Sequence, residues 1–154
     1  MGQVLNDSLF KTIVANTPLI SIDLIIQNSQ RKILLGKRIN RPAQGYWFVP
    51  GGRVRKNETL INTLNRLLKE ELGISTSLPN TTFLGPFEHF YSDSFLEEDV
   101  KTHYIALGYK LNIDLDLSKL PNIQHDRYRW VSINDLLSAD DVHLHTKYYF
   151  QYRK

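Results

Sequence analysis

Residues 52–74 read GRVRKNETLINTLNRLLKEELGI, and their apolar side chains recur with the 3.6-residue period of an α-helix. Gly73 directly follows the last of these side chains and is a favourable residue at a helix C-terminus. The spacing therefore predicts a helix over residues 58–72. Its apolar stripe consists of Leu60, Ile61, Leu64, Leu67, Leu68 and Leu72.

A carboxylate falls inside this apolar stripe. With helical residues about 100° apart, Glu71 lies about 20° from Leu60, whereas Glu70 lies at the edge of the stripe and Arg66 outside it. A carboxylate in apolar surroundings is costly unless a cation, a metal ion or hydrogen bonds compensate. On the residues alone, Glu71 either binds Mg²⁺ or Mn²⁺, which prefer oxygen donors, or lies at a helix end that projects into water.

The composition of the 154 residues is typical of a globular protein with a core, since 42% are apolar and 23% are charged. We expect a single domain over residues 1–154, because no linker or repeat divides the chain. The absence of cysteine excludes disulfides and thiolate chemistry. We find no apolar run of membrane-spanning length and no signal peptide, so we expect a cytoplasmic protein with no membrane partner.

Positive charge is concentrated in residues 37–56, which contain six basic residues and no acidic one, although the whole chain carries only +3. A nucleic-acid-binding face is usually broader and carries stacking aromatic residues. We therefore expect a small polyanion such as a nucleoside diphosphate as the partner, and no nucleic acid. A solvated basic loop is the alternative interpretation. The basic residues are Lys37, Arg38, Arg41, Arg53, Arg55 and Lys56.

Strand patterns flank the central helix, and no regular element is predicted before residue 17. The order predicts an α+β domain whose strands are mostly connected as hairpins. Two short helices are predicted at residues 133–138 and 143–152. The predicted strands are residues 17–26, 32–38, 47–49, 83–91, 101–111 and 127–131.

The fixed positions of residues 52–74 resemble the Nudix box, the loop–helix–loop signature of the Nudix hydrolases. Five residues separate Gly52 from Glu58, and seven separate Glu58 from Arg66, as in the family pattern. The resemblance implies the Nudix fold, a mixed β-sheet packed between helices as an α/β/α sandwich. The remaining matched positions are Leu68, Glu70, Glu71, Gly73 and Ile74.

One position departs from the family pattern: Leu67 stands where the family has a glutamate. A glutamate there would lie one helical turn before Glu71, so that both could hold a metal cluster. Family members that cleave a P–O bond typically use several divalent ions. We therefore expect one ion per site, Mg²⁺ with Mn²⁺ as the alternative, and activation of water by a residue outside the helix.

Beyond this segment, the chain resembles the GDP-mannose mannosyl hydrolases, a subgroup of the family, over nearly all residues from Phe10 to Phe150. The resemblance implies that water attacks carbon 1 of the sugar with inversion and that GDP leaves. The implied substrate is a small nucleotide sugar, GDP-mannose, with GDP-glucose as an open second substrate. The resemblance rests on residues 17–23, 34–38, 40–53, 89–91, 102–104 and 124–126.

The same resemblance implies a base and a set of metal ligands. His125 is the implied base, a role that a neutral imidazole can fill near neutral pH. Judged without the resemblance, a solvated loop histidine is the more common interpretation. The implied metal ligands are Glu71, Gln124 and the backbone carbonyl of Gly51, completed by phosphate oxygens and water.

Arg38, Arg53 and Asp23 join His125 as implied catalytic residues. The two arginines would bind the departing diphosphate, which is a good leaving group and needs no protonating acid. Asp23 lies in an apolar strand and would contact a sugar hydroxyl or support a residue that does. Arg66 has two open roles, a structural ion pair or a contact with the phosphates.

The remaining implied contacts come from aromatic and N-terminal residues. His89 and Tyr104 would orient the sugar and the diphosphate, although both could be core residues with satisfied polar tips. Phe10, with the backbone near Val4 and Leu5, matches the guanosine-contacting segment of the subgroup. That match implies a homodimer in which this segment reaches across to the second copy.

Two other functions stay open. A Nudix pyrophosphatase would cleave a nucleoside diphosphate sugar to a nucleoside monophosphate and sugar 1-phosphate; Leu67 and the pair Gln124 and His125 argue against it. A nucleotide-sugar sensor would bind the same ligand without turnover.

Overall fold

The computed structural model describes residues 4–75, 81–94, 99–121 and 125–151, with backbone alone at residues 125 and 126. The helices within these ranges are α1 (Asp7–Asn16), α2 (Leu60–Leu72), α3 (Ile133–Ser138) and α4 (Leu144–Lys147), with a 3-10 helix at Leu117–Lys119. The strands are β1 (Leu19–Gln27), β2 (Ile33–Arg38), β3 (Trp47–Phe48), β4 (Gly51–Arg53), β5 (Thr81–Tyr91), β6 (Thr102–Asn112) and β7 (His125–Val131).

Strand β1 organises a mixed sheet. It runs parallel to β6 over its whole length and antiparallel to β4 at residues 21–23, and it meets β2 at Gln27. Strand β5 pairs antiparallel with β6, while β2 pairs antiparallel with both β3 and β7. The consecutive buried residues Leu24, Ile25 and Ile26 suit a strand that is covered on both faces.

Helices cover the two faces of this sheet, which confirms the expected α+β fold with its α/β/α layers. Ile22, Leu24 and Ile26 pack with the α2 residues Leu67 and Leu68 on one face. On the other face, Ile25 packs with Phe48 and Leu136 of α3. Because side chains alternate along a strand, Asp23 points to the α3 side, away from α2.

Several predicted elements need correction. The structure adds α1, which the sequence pattern missed because Val14 is its only buried residue, so it has little apolar stripe to detect. It also adds β4 immediately after the predicted strand at residues 47–49, where the sequence indicated only the end of that strand. The predicted helix at residues 143–152 is regular only through α4. The sequence predicted strands connected mostly as hairpins. The structure instead pairs β1 in parallel with β6, a strand that is distant in sequence.

Other predicted boundaries shift by one or two residues. The central helix begins at Leu60 rather than residue 58, where the Thr59 side chain caps it by accepting a hydrogen bond from the Asn62 amide. It ends at Gly73, whose left-handed φ of 69° matches the predicted stop. Strand β7 begins at residue 125 rather than 127, so His125 opens a strand instead of lying in a loop.

Two adjacent glycines let β4 fit between β1 and α2. A Cβ built on Gly51 would collide with the backbone oxygen of Ile22 and lie 2.7 Å from Asp23 Oδ1. A Cβ on Gly52 would lie 2.5 Å from Cδ2 of Leu67. Both positions therefore require glycine for close approach, one to a strand and the other to the helix.

The two glycines offer a matched test. Gly51→Ala is expected to lower the free energy of unfolding by about 1–3 kcal/mol, because the methyl meets strand backbone that cannot move without disturbing the ladder. Gly52→Ala should cost less, because the end of a leucine side chain can rotate away. Urea denaturation of both variants measures the difference, and a larger loss for Gly52→Ala would contradict this account.

Candidate active site

Arg66 joins α2 to the strand that precedes it. Its Nε and Nη2 atoms donate to the two oxygens of Glu58 at 2.8 and 3.0 Å, and Nη2 also donates to the backbone oxygen of Arg53 at 2.7 Å. Its Nη1 donates to Glu70, 3.1 Å away. These bonds support the structural role for Arg66 over contact with phosphates. Hydrogen bonds from Arg66 lower the pKa of Glu58 to about 2.

Glu71 is buried, as its place in the apolar stripe predicted, with 3% of its surface exposed. Burial raises the pKa of its carboxyl to about 7, and the positive charge of Arg38 only partly offsets this. Leu67, one turn earlier on the same face, is also buried. This face of the helix therefore brings one carboxylate, rather than two, to the interior.

A cavity of about 460 Å³ opens beside β1 and β4. It gathers many of the residues singled out in the sequence, from five different strands and from α1. The predicted site residues on its wall are Phe10, Asp23, Arg38, Gly51, Arg53, His89 and Tyr104. The other lining residues are Ser21, Asn40, Arg41, Pro42, Phe48, Val49, Gly52, Arg55 and Tyr91.

Four arginines make one part of this wall cationic: Arg38, Arg41, Arg53 and Arg55. Arg38 is held by a 2.8 Å hydrogen bond from its Nε to the backbone oxygen of Pro42. The guanidinium of Arg53 lies 5.0 Å from the centre of the Phe10 ring, a cation–π contact that places α1 over the cavity. Burial lowers the pKa of Arg53. Such a wall suits a ligand with several negative charges.

The floor of the cavity is formed by buried polar groups. Tyr149 donates a 2.5 Å hydrogen bond to Oδ2 of Asp23, and His89 Nδ1 lies 4.0 Å from the same oxygen. Burial raises the pKa of Asp23 to about 7, although the Tyr149 hydrogen bond and the charge of Arg38 act in the opposite direction. Asp23 points away from α2, the helix that carries Glu71, and the positive charge of Arg38 acts on both carboxyls.

Three histidines support this floor as neutral rings. His89 stacks on His145 with ring centres 4.4 Å apart, and His143 lies 4.7 Å from His145. Burial is the largest cause that lowers the pKa of His89 to about 3 and those of His143 and His145 to about 4. Their rings are therefore uncharged near neutral pH.

Sequence reasoning missed several residues of the site. Tyr91 lines the cavity, and its position two residues after His89 on one strand could have indicated a shared face. Asn40, Arg41 and Arg55 lie in the basic segment at residues 37–56, but no sequence pattern distinguished them from residues of a solvated surface loop. Tyr149 carried no signal, because its contact with Asp23 is made across 126 residues of chain.

The remaining predicted site residues lie away from the cavity wall or outside the description. Val4 is 73% exposed, and neither Val4 nor Leu5 lines the cavity. Glu71 and Arg66 do not line it either. Gln124 lies outside the described residues. The backbone of His125 pairs with Arg38 in the β2–β7 ladder, which places the start of β7 beside an arginine of the cavity wall.

Residues 17–152 match the NUDIX domain family, and the chain belongs to that family of hydrolases. Low-salt glycan biosynthesis protein Agl8 of Haloferax volcanii is 43% identical over 123 residues, which cover 80% of this chain and 76% of that protein. An ADP-ribose pyrophosphatase of Methanocaldococcus jannaschii is 32% identical over 96 residues, 62% of this chain. Those residues cover 52% of the pyrophosphatase, about half of its length.

Solved structures share the fold. The MutT protein from Methanosarcina mazei Go1 has a TM-score of 0.70 at 24% identity, covering 88% of this chain and 92% of that one. The NUDIX domain of Shewanella oneidensis NrtR complexed with ADP ribose has a TM-score of 0.65 at 19% identity, covering 95% and 97%. In the part of the chain that the structure describes, no helix has the length and apolarity to cross a membrane.

The burial of Glu71 predicts a pH-dependent cost in stability. Its pKa rises from 4.5 to about 7 on folding, so the folded chain holds a proton that the unfolded chain releases between these pH values, and stability falls as the pH rises. In metal-free buffer, Glu71→Gln is expected to raise the free energy of unfolding by about 1–3 kcal/mol at pH 8, with no gain near pH 4.

Glu70→Gln is the matched control for this measurement by chemical denaturation. Glu70 is more exposed and accepts a hydrogen bond from Arg66, so its substitution should bring no gain at either pH. A loss of stability in Glu71→Gln at pH 8 would contradict the account, because it would mean that the carboxylate is ionised and well paired in the folded chain.

Proposed function

We propose that this Nudix hydrolase converts GDP-mannose, with GDP-glucose as a second candidate substrate, to GDP and free sugar by inverting attack of water at carbon 1. The observation that carries the proposal is that one cavity is lined both by four arginines and by the buried polar side chains of Asp23 and His89. The wall has the chemistry to bind a diphosphate, and the floor has the chemistry to bind sugar hydroxyls. A cavity of this volume is in the usual range for a small-molecule site.

The arginine wall suits a diphosphate that leaves. Negative charge grows on the diphosphate as its bond to the sugar breaks, and guanidinium groups fixed nearby stabilise that charge. Arg38 and Arg53 line the cavity, and we assign them to binding the departing diphosphate. Ordinary glycosidases protonate the departing oxygen with a carboxylic acid, whereas a diphosphate needs no such acid.

Nudix hydrolases generally use a divalent metal such as Mg²⁺, and the chain offers a donor set that fits one hard ion. Glu71 is a buried carboxylate whose ionised form needs positive charge nearby. Among the described residues, no group of three His, Cys, Asp or Glu side chains could hold a metal together. As the resemblance implies, Glu71, Gln124 and the carbonyl of Gly51 would hold the ion, which would supply positive charge to the diphosphate.

The base and the residues that contact the sugar and the guanosine are assigned from their chemistry and their positions. His125 would deprotonate the attacking water, and the position of its backbone opposite Arg38 supports this assignment. Asp23, His89 and Tyr104 would contact the sugar and orient it. Phe10 would contact the guanosine, and its place over Arg53 of the same chain brings it beside the diphosphate site.

The resemblance also implies further substrate contacts, a cellular compartment and an oligomeric state. Val4 and Leu5 would extend the guanosine contact through their backbone. The chain would act in the cytoplasm as one Nudix domain, and it would pair as a homodimer.

Pyrophosphatase chemistry is the second candidate, and the similarity to an ADP-ribose pyrophosphatase favours it. The higher similarity to a glycan biosynthesis protein favours a sugar-linked substrate under either reaction. Leu67 is the residue that argues for attack at carbon, because the buried leucine removes a carboxylate that multi-ion chemistry at phosphorus would use.

Hydrolysis of GDP-mannose in ¹⁸O-water separates the two reactions. Attack at carbon places the label in mannose and leaves GDP unlabelled, which mass spectrometry of both products measures. Omission of Mg²⁺ with added chelator is the control and should stop product formation. Label in GMP or in mannose 1-phosphate would establish the pyrophosphatase reaction instead.

Substitution of the assigned base tests its role. His125→Gln is expected to lower kcat for GDP release by about 10²–10⁴-fold, because the water loses its proton acceptor. His103→Gln is the matched control, since His103 stacks on Phe90 and does not line the cavity. Steady-state kinetics of both variants measure the effect, and an unchanged rate in His125→Gln would remove it from this role.

A further inference from the structure

Asp23 has a partner on a distant part of the chain that no sequence pattern indicated. The Tyr149 hydroxyl donates to Oδ2 of Asp23 at 2.5 Å, and the other oxygen, Oδ1, lies toward Gly51. Both Asp23 and Gly51 line the cavity. A hydrogen bond to one oxygen fixes the rotation of a carboxyl group and thereby the position of the other oxygen.

The sheet is shaped to receive the Tyr149 ring. Gly108 of β6 is the register neighbour of Asp23 in the parallel β1–β6 pair. A Cβ on Gly108 would lie 2.8 Å from Cε1 of Tyr149, so glycine at this position leaves the space that the ring occupies. The Phe87 ring lies 4.4 Å from the Tyr149 ring, centre to centre. The strand beside Asp23 thus accommodates the tyrosine that reaches it.

The segment that carries Tyr149 is itself anchored to the site. The hydroxyl of Thr146, which is fully buried, accepts a 3.3 Å hydrogen bond from the Val49 amide beside the cavity. The His143 amide donates to the backbone oxygen of Trp47 at 3.0 Å. These bonds fix α4 and the residue before it to the segment that forms the cavity, and Tyr149 follows two residues after the end of α4.

We propose that Tyr149 is a positioning residue that holds the Asp23 carboxyl with Oδ1 presented to a hydroxyl of the substrate sugar. The inference rests on the proposed function, in which Asp23 contacts the sugar. Tyr149 does not itself line the cavity, so it acts through Asp23. Loss of the Tyr149 hydroxyl is therefore expected to disturb the positioning of the sugar and to leave the binding of GDP intact.

Tyr149→Phe tests this role, because it keeps the ring and removes only the hydroxyl. We expect kcat/KM for GDP-mannose to fall by about 10- to 100-fold, as for a misplaced catalytic contact. Binding of GDP with Mg²⁺, measured by calorimetry, should stay within about twofold of the parent. Tyr148→Phe is the matched control, one residue away, and should leave both quantities unchanged.

Two further variants separate positioning from a general structural role. In the Asp23→Asn background, Tyr149→Phe should change kcat/KM by less than about twofold, because the group it positions has been altered. Gly108→Ala should reproduce the Tyr149→Phe loss by displacing the ring. Full kcat/KM in Tyr149→Phe, an equal loss in both backgrounds, or a parallel loss of GDP binding would each overturn the inference.

The outcomes for the parent protein distinguish the two proposals. If the parent forms GMP and mannose 1-phosphate, the proposed reaction fails while Tyr149→Phe can still be scored on that activity. If the parent releases GDP and Tyr149→Phe is unaffected, only the positioning role fails. Absence of both activities in the parent overturns both.

Discussion

The close approach of β4 to its two neighbours is the constraint on which the site depends. Gly51 lies against the backbone of β1, and Gly52 lies against Leu67 of α2. Because neither glycine has a side chain, one short strand can contact both the central sheet and the helix. Arg66 then fixes the helix to the end of the same strand through the backbone oxygen of Arg53. This three-residue strand thus joins the cavity wall to the helix that carries the buried carboxyl of Glu71.

This arrangement places two carboxyl groups in surroundings that disfavour their charge. Burial raises the pKa of both Asp23 and Glu71 to about 7, and Arg38 offsets the effect only partly at each. Groups of this kind lower the stability of a folded chain and concentrate at functional sites. Arg66 and Glu58 show the opposite case, because their pairing lowers the pKa of Glu58 and ties the helix to the loop before it.

Much of the helix and part of the cavity could be predicted from the sequence, since both depend on local periodicity and spacing. Glu71 is buried as its angular position within the apolar stripe of α2 indicates, rather than projecting into water, and Glu58 pairs with Arg66. The contact between Tyr149 and Asp23 could not be predicted, because a single chain carries no record of which distant residues meet. Helix α1 escaped detection for a different reason: its attachment depends on Phe10 over Arg53 rather than on an apolar stripe.

The neutral histidines beneath Asp23 have an electrostatic consequence. His89, His143 and His145 lose their protons well below neutrality, so none of them supplies a charge that changes as a cell acidifies or becomes more alkaline. Burial instead raises the pKa of Asp23 to about 7, within that interval. The proton on Asp23 therefore sets whether its carboxyl is neutral or anionic beside Arg38, and the surrounding imidazoles do not buffer that change.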